Sequence, residues 1–402
     1  MSKQDLSYED PDVYSHYATG CSLMEKGDYK GAIDEFERVL SINPGHGLSY
    51  LMLGNIYFED QEFSTAEKYY LKSIEVSPGD VTAFINVGNL YFNQGKVEEA
   101  IEKYLDAIDI EPDDGATHNS LARAFVKIEN IEGAIEEYQK TIELDPFYVD
   151  AYYSLANIFV DQGMIDFAVD NYQKAIELSP NDPFIINSLG NLYFSQGILD
   201  EAATCYCKAL ELDPSFPNGH YNLGVVYFQQ GVIDNAIEEF NRALEINPDD
   251  YVVRNNLGYA YYKTGDYDKA LKEYFKAIEL APEFVEAHNN LGHLYGSMGK
   301  WELAVTEANK ALELNPYVVS AYRNLGLAYM AFGLFEQAIE EFNKATEIDP
   351  EYAKVRFHLG EVYIKLGQLE DAVYNFETYL TLEPEGEFLE EANNYLQEIK
   401  GV

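Results

Sequence analysis

The sequence predicts an all-α protein, an α-solenoid of tandem helix-turn-helix units. Three observations carry that prediction. Eleven of the 14 prolines, from Pro44 and Pro78 to Pro350 and Pro384, follow one another at steps of 34 residues. Alanine recurs in the same phase eleven times, from Ala32 to Ala372. Hydrophobic residues make up 47% and aromatic residues 14%, too much apolar matter for a disordered chain despite a net charge of −43. A fixed period of this length marks stacked supersecondary units, whose stability is a sum of unit and neighbour terms.

With the register started at Val13, eleven units begin at residues 13, 47, 81, 115, 149, 183, 217, 251, 285, 319 and 353. They cover 13–386, with no insertion or deletion. Residues 1–12 form a polar N-terminal arm, expected to be solvated. It lacks the basic and apolar regions of a signal peptide.

Each unit reads as two helices. Positions 4, 7, 8 and 11 form one apolar stripe at helical spacing, and positions 20, 24 and 27 form another. Position 8 is always small: Gly in nine units, Ala122 and Ala156 in the others. We expect the small residues at 8 and 20 to let the helix backbones approach, with the ring at position 11 (Tyr57, Tyr91, Phe125 and on to Tyr363) filling space beside them. Position 24 is Phe or Tyr except at Ala308. Gly at position 15, as at Gly95 and Gly163, suits a helix C-terminus. Proline at position 32 ends the second helix. Residues 387–402 are expected to cap the array. Phe388, Leu389, Ala392, Tyr395, Leu396 and Ile399 share one stripe, with Glu390, Glu391, Asn394 and Glu398 opposite. Such a cap fits a whole array.

Eight positions recurring in phase identify the chain as a member of the tetratricopeptide repeat family over residues 13–386. The resemblance implies a right-handed superhelix, with the first helix of each unit lining a concave groove through positions 2, 5, 6, 9, 12 and 13. The tryptophan expected at position 4 is absent; His16, His118, His220 and His288 are among its replacements, read as packing residues.

Read at the groove positions, the sequence offers a run of amides. Position 6 holds Asn86, Asn222, Asn256, Asn290 and Asn324; position 9 adds Asn55, Asn89, Asn157 and Asn191. A carboxamide offers donors and an acceptor, which match a peptide backbone. This ladder resembles that of the tetratricopeptide superhelix of O-linked N-acetylglucosamine transferase, which implies a partner held in extended conformation. The alternative reading is that the same amides bond a neighbouring helix, and both uses can hold at once. Position 12 carries rings, Phe58, Phe92, Phe194, Phe228 and Tyr262, suited either to ligand contact or to packing under the next unit. Arg123, Lys127 and Arg323 are groove cations.

Charge sorts the function classes. The chain carries 70 Asp+Glu against 27 Lys+Arg, which disfavours nucleic acid and anionic membrane surfaces. No window approaches 18 apolar residues, so no membrane span is expected. In the groove the charges balance. Glu25 and Glu59 lie in the first two units, and Arg323, Lys354 and Lys365 lie against Glu361 in the last two, a gradient that would orient a ligand's acidic end toward the C-terminal units. Excess negative charge falls on second helices, as at Glu136-Glu137, Glu238-Glu239 and Glu340-Glu341. The family's carboxylate clamp for chaperone tails is not assembled, since position 5 holds no Lys and position 6 no Arg.

No phosphate loop, H-E-x-x-H or C-x-x-C is present. Cys205 and Cys207 are two apart on a helix and point apart. Three cysteines fit a reducing, cytoplasmic setting. The unit at 285 is irregular: Gly296 and Ala308 replace rings beside His293 and Trp301, which would leave a notch. The expectation is a non-enzymatic module without catalytic residues, metal or cofactor, binding an extended peptide segment. The alternative is a scaffold that assembles with a complex, or with itself, through its acidic outer face. A glycan in place of the peptide would use the same amides and rings.

Overall fold

The computed structural model describes residues 10–401. The expected arm at 1–12 thus lies largely outside the described residues. Among them are 23 helices and no strand. The chain divides into two compact units between Leu192 and Tyr193. The first holds α1 (Pro11–Glu25), α2 (Tyr29–Ile42), α3 (Gly47–Glu59), α4 (Phe63–Val76), α5 (Val81–Asn93), α6 (Val97–Ile110), α7 (Gly115–Lys127), α8 (Ile131–Leu144), α9 (Val149–Asp161) and α10 (Ile165–Leu178), and α11 (Pro183–Ser195) begins in it. The second holds α12 (Leu199–Leu212), α13 (Pro217–Gln229), α14 (Ile233–Ile246), α15 (Tyr251–Lys263), α16 (Tyr267–Leu280), α17 (Val285–Ser297), α18 (Trp301–Leu314), α19 (Val319–Ala331), α20 (Phe335–Ile348), α21 (Ala353–Leu366), α22 (Leu369–Leu382) and α23 (Leu389–Lys400). From α3 onward the first helix of each pair starts at repeat position 1, and every second helix starts at position 17.

Local chemistry places these ends. At position 15 the backbone turns left-handed, with φ between +71° and +81° at glycines such as Gly95, Gly163 and Gly265. The next N–H then reaches back to the carbonyl at position 11, as Lys96 to Tyr91 at 2.9 Å, closing the first helix. Gln61 and Glu129 occupy this position without glycine and still adopt φ +60°. The second helix stops at position 31, because a residue before proline is pushed out of the α region; Asn43 there has φ −126°.

The core is built from the second helix of one repeat and the first helix of the next. In the second unit Ala338, Phe342 and Ala345 of α20 pack with Val355, Leu359 and Val362 of α21, all buried. The ring at position 24, rather than the ring at 11, lies on the small residue at position 8. A Cβ placed on Gly54, Gly88 or Gly326 would come within 2.4, 2.6 and 2.3 Å of ring atoms of Tyr70, Tyr104 and Phe342. Position 8 is therefore small for a side chain, not for a close backbone approach. Gly292 is the exception: Ala308 has no ring, and the neighbours of an added Cβ are the Ala304 oxygen and Ala308 nitrogen, both at 3.3 Å.

The histidines at position 4 are more than packing. His118 and His288 are buried, with Nδ1 on Glu137 and Glu307 (2.5 and 2.7 Å) and Nε2 on the Pro112 and Pro282 carbonyls (2.9 and 3.1 Å). They strap each connection to the second helix of their own repeat. At the C-terminus α23 buries Ala392 and Leu396 against Phe376 and Tyr379, and Phe388 stacks on Phe357 at 4.3 Å.

Candidate functional site

First helices present positions 2, 5, 6, 9, 12 and 13 side by side, because 3.6 residues per turn bring them to one face. In the first unit this face lines a cavity of about 450 Å³ whose walls include Phe58, Asn89, Phe92, Ser120, Arg123, Tyr148 and Asp150. The Arg123 guanidinium sits 5.5 Å from the Phe92 ring centroid, a cation held by a ring face. Asn119, in the same wall, is only 5% exposed, and its Oδ1 has no hydrogen-bond partner. The Tyr104 hydroxyl donates to Asn89 Oδ1 at 2.8 Å, and burial pushes that phenol up to about 12.

A second cavity of about 450 Å³ lies within the second unit. Tyr262, Lys263, Asn290, His293, Arg323 and Lys354 line it, with Tyr352 and Glu387. Tyr262 stacks between Tyr259 and Tyr267 at 6.0 and 5.9 Å. Its hydroxyl is 2.9 Å from His293 Nε2. Burial first, then the Arg323 charge, lowers His293 to about 4.

The amides have structural work. At position 6, Asn86 donates to Asn55 Oδ1 (2.9 Å), Asn256 to the Tyr221 hydroxyl (3.2 Å), Asn290 to Asn255 Oδ1 (3.0 Å) and Asn324 to Asn289 Oδ1 (3.2 Å). Each bond joins first helices of successive repeats. At position 9, Asn55 and Asn157 accept from the tyrosine at position 24 of their own repeat, Tyr70 and Tyr172, at 2.9 and 2.5 Å. These bonds use part of each carboxamide's capacity and leave the remaining donors and lone pairs for other partners.

Of the residues singled out from sequence, the first cavity gathers Phe58, Asn89, Phe92 and Arg123, and the second gathers Tyr262, Asn290, Arg323 and Asn324. Asn86, Asn157, Asn191 and Lys127 stand apart from the first, and Asn222, Asn256, Phe194 and Phe228 from the second. Phe194 packs on the cluster around Ala202, Tyr206, Leu223 and Val226. Phe228 lies 5.2 Å from the Tyr259 ring. Asn119 and Asn289 at position 5, and Tyr148 and Tyr352 at position 34, also line these cavities and are not among the residues the repeat pattern singles out. A signal existed: Asn recurs at position 5 at Asn119, Asn187, Asn255 and Asn289. The irregular repeat does contain a small notch, about 150 Å³ between His293, Gly296, Trp301 and Leu327.

Chemistry is sparse elsewhere. Burial raises the Cys205 thiol to about 11, far from a reactive thiolate. Among the described residues no group of three His, Cys, Asp or Glu is placed to hold a metal, and no helix is long and apolar enough to cross a membrane.

Paired helices in series, with a lined face, define a helical-repeat protein. The chain belongs to the tetratricopeptide repeat family. The family described as TPR repeat matches residues 88–128, 122–163, 156–197, 190–231, 226–265, 258–299 and 331–367. Families described as tetratricopeptide repeat match 23–84, 69–102, 285–317 and 353–385. None of these is a catalytic family, and the family assignment makes the chain a protein–protein interaction module. A search of curated protein sequences gave no match. In structure the chain is similar to the APC/C hetero-tetramer Cut9-Hcn1, with a TM-score of 0.55 at 15% identity, over 98% of each chain. It is also similar to a tetratricopeptide repeat protein from Parabacteroides merdae, with a TM-score of 0.54 at 20% identity, over 63% of this chain and 98% of that one. At these identities the likeness is one of fold.

Proposed function

We propose that this chain is a non-enzymatic module that holds an extended peptide segment of a partner protein along the face of its first helices. The supporting observation is that groove positions from successive repeats line two cavities of about 450 Å³ each. Each combines aromatic walls with convergent polar groups, the composition of a recognition site. The rings supply apolar contact. Carboxamide capacity left over from the inter-repeat bonds supplies hydrogen bonds to a peptide main chain. The first glutamate of each acidic run on the second helices, Glu136, Glu238 and Glu340, is exposed and serves as part of a solvated face, whereas Glu137 and Glu239 are bonded to His118 and His220.

The test compares two surfaces. A random peptide display library is selected against the protein. Enriched peptides are then measured on Arg123→Ala, which alters the lined face, and on Glu136→Lys/Glu238→Lys/Glu340→Lys, which alters the outer one. Loss of binding on the first variant alone supports the groove. Loss on the second alone transfers the function to a scaffold that docks basic partners outside.

A further inference from the structure

The cavity of the second unit departs from the charge of the whole chain. Against 70 Asp+Glu and 27 Lys+Arg overall, its walls hold Lys263, Arg323 and Lys354 with a single carboxylate, Glu387. The three cations come from α15, α19 and α21, so they converge from separate repeats. Arg323 is oriented before any ligand arrives. Its Nη1 donates to the Tyr352 hydroxyl and its Nη2 to His293 Nδ1, both at 3.0 Å. Because Nδ1 accepts, the ring proton sits on Nε2 and points to the Tyr262 oxygen. Arg323 Nε is buried and has no partner. A guanidinium fixed this way, with two further cations in the same walls, is built to receive a carboxylate.

A carboxylate from the chain itself already reaches the rim. Glu387 lies in the connection between α22 and α23, and its Oε2 is 2.8 Å from Lys354 Nζ. That hydrogen bond, helped by the Lys263 and Arg323 charges, holds the Glu387 carboxyl below its ordinary range. The Glu387 side chain is 62% exposed, and an exposed pair of this kind is weak enough to exchange.

We propose that this cavity is a carboxylate-binding pocket for an acidic stretch of a bound peptide, and that Glu387 is an internal competitor which the incoming carboxylate displaces from Lys354. The proposal rests on the groove reading above and narrows it to acidic ligands at this end of the face.

The test uses three fluorescein-labelled pentapeptides and fluorescence polarisation. One has three central glutamates and an amidated end, the second has glutamines in their place, and the third is the glutamine peptide with a free terminal carboxylate. The glutamate peptide is expected to bind about tenfold tighter than its amidated glutamine counterpart, with the preference shrinking as salt rises. Glu387→Gln should tighten the glutamate peptide by about threefold or more and leave the amidated glutamine peptide unchanged. Arg323→Gln should weaken the glutamate peptide by about tenfold. Lys263→Gln, at an exposed side chain where folding is not at stake, should weaken it in the same direction. Equal binding of glutamate and glutamine peptides overturns the pocket. An unchanged affinity in Glu387→Gln overturns the competitor. A free-carboxylate peptide matching the glutamate peptide overturns the side-chain form in favour of a chain terminus. If display-selected peptides still bind in an Arg123-dependent way while acid preference is missing, the pocket alone fails; if no peptide can be selected, the groove reading fails with it.

Discussion

Gly326→Ala tests the contact on which the fold is read. The added Cβ would lie 2.3, 2.5 and 2.6 Å from Cε1, Cδ1 and Cζ of Phe342. Carbon atoms rest about 3.5–4.0 Å apart, so the ring must retreat by roughly 1 Å. It has no room to do so, because Phe342 is fully buried among Ala338, Ala345, Val355, Leu359 and Val362. Overpacking of this kind costs about 1–3 kcal/mol. Replacing a mid-helix glycine by alanine returns roughly 0.5–1 kcal/mol, which leaves a net loss of about 0–2.5 kcal/mol, and the absence of room around the ring places it at about 1–2 kcal/mol. A long array does not unfold as one two-state body, so the readout must be local. Hydrogen exchange by mass spectrometry over residues 319–348 should show protection reduced by about fivefold to thirtyfold. Gly292→Ala is the control. There Ala308 stands where the ring would be, and the expected loss is smaller, near zero after the propensity gain. Protection in Gly326→Ala equal to or above the parent, or a larger loss in Gly292→Ala, would refute the ring-on-glycine account.

Three further outcomes follow from the geometry. Gln61→Gly and Glu129→Gly should each stabilise their repeat by about 0.5–1 kcal/mol, because both side chains are held at φ +60° where glycine carries no steric penalty; matched melting curves check the direction. Tyr104→Phe should cost about 1 kcal/mol, the net worth of the hydroxyl bond to Asn89, read as a lower thermal midpoint. His293, with a folded value of about 4 against an ordinary 6.5, takes up its proton in the unfolded chain first. Its contribution to stability is complete above pH 6.5, is lost as pH falls from 6.5 toward 4, and changes no further below that. Nuclear magnetic resonance of the ring protons should give a midpoint near 4, and His293→Gln should lack this segment of the pH dependence.

The fold was legible because its signals are local and repeated. Proline at 32 acts on the residue before it and glycine at 15 on its own backbone, and repetition removes the ambiguity of one copy. The cap was legible for the same reason: one stripe on one short helix. What was misjudged needed three dimensions. Glycine at 8 and the ring at 24 are sixteen residues apart, and periodicity says that both face inward without saying that they touch. For the amides the sequence left two uses open, a ligand surface and bonds between neighbouring helices, because position 6 faces the groove. Their bonds to the preceding repeat depend on the stacking distance, which no single repeat encodes. Groove position already set Arg323 and Lys354 together at this end, but Lys263 lies two repeats before Arg323 and Glu387 lies beyond the last repeat, so no spacing rule joined all four.

The ring-on-glycine contact closes within one set of 34 residues, between Gly88 and Tyr104 or between Gly360 and Phe376. A recombination event that inserts or deletes a whole period, wherever the crossover falls, therefore restores every such contact intact. Length is a quantity that such a gene can change in a single step. The two lined cavities, each assembled from several periods, are what each such step would rewrite.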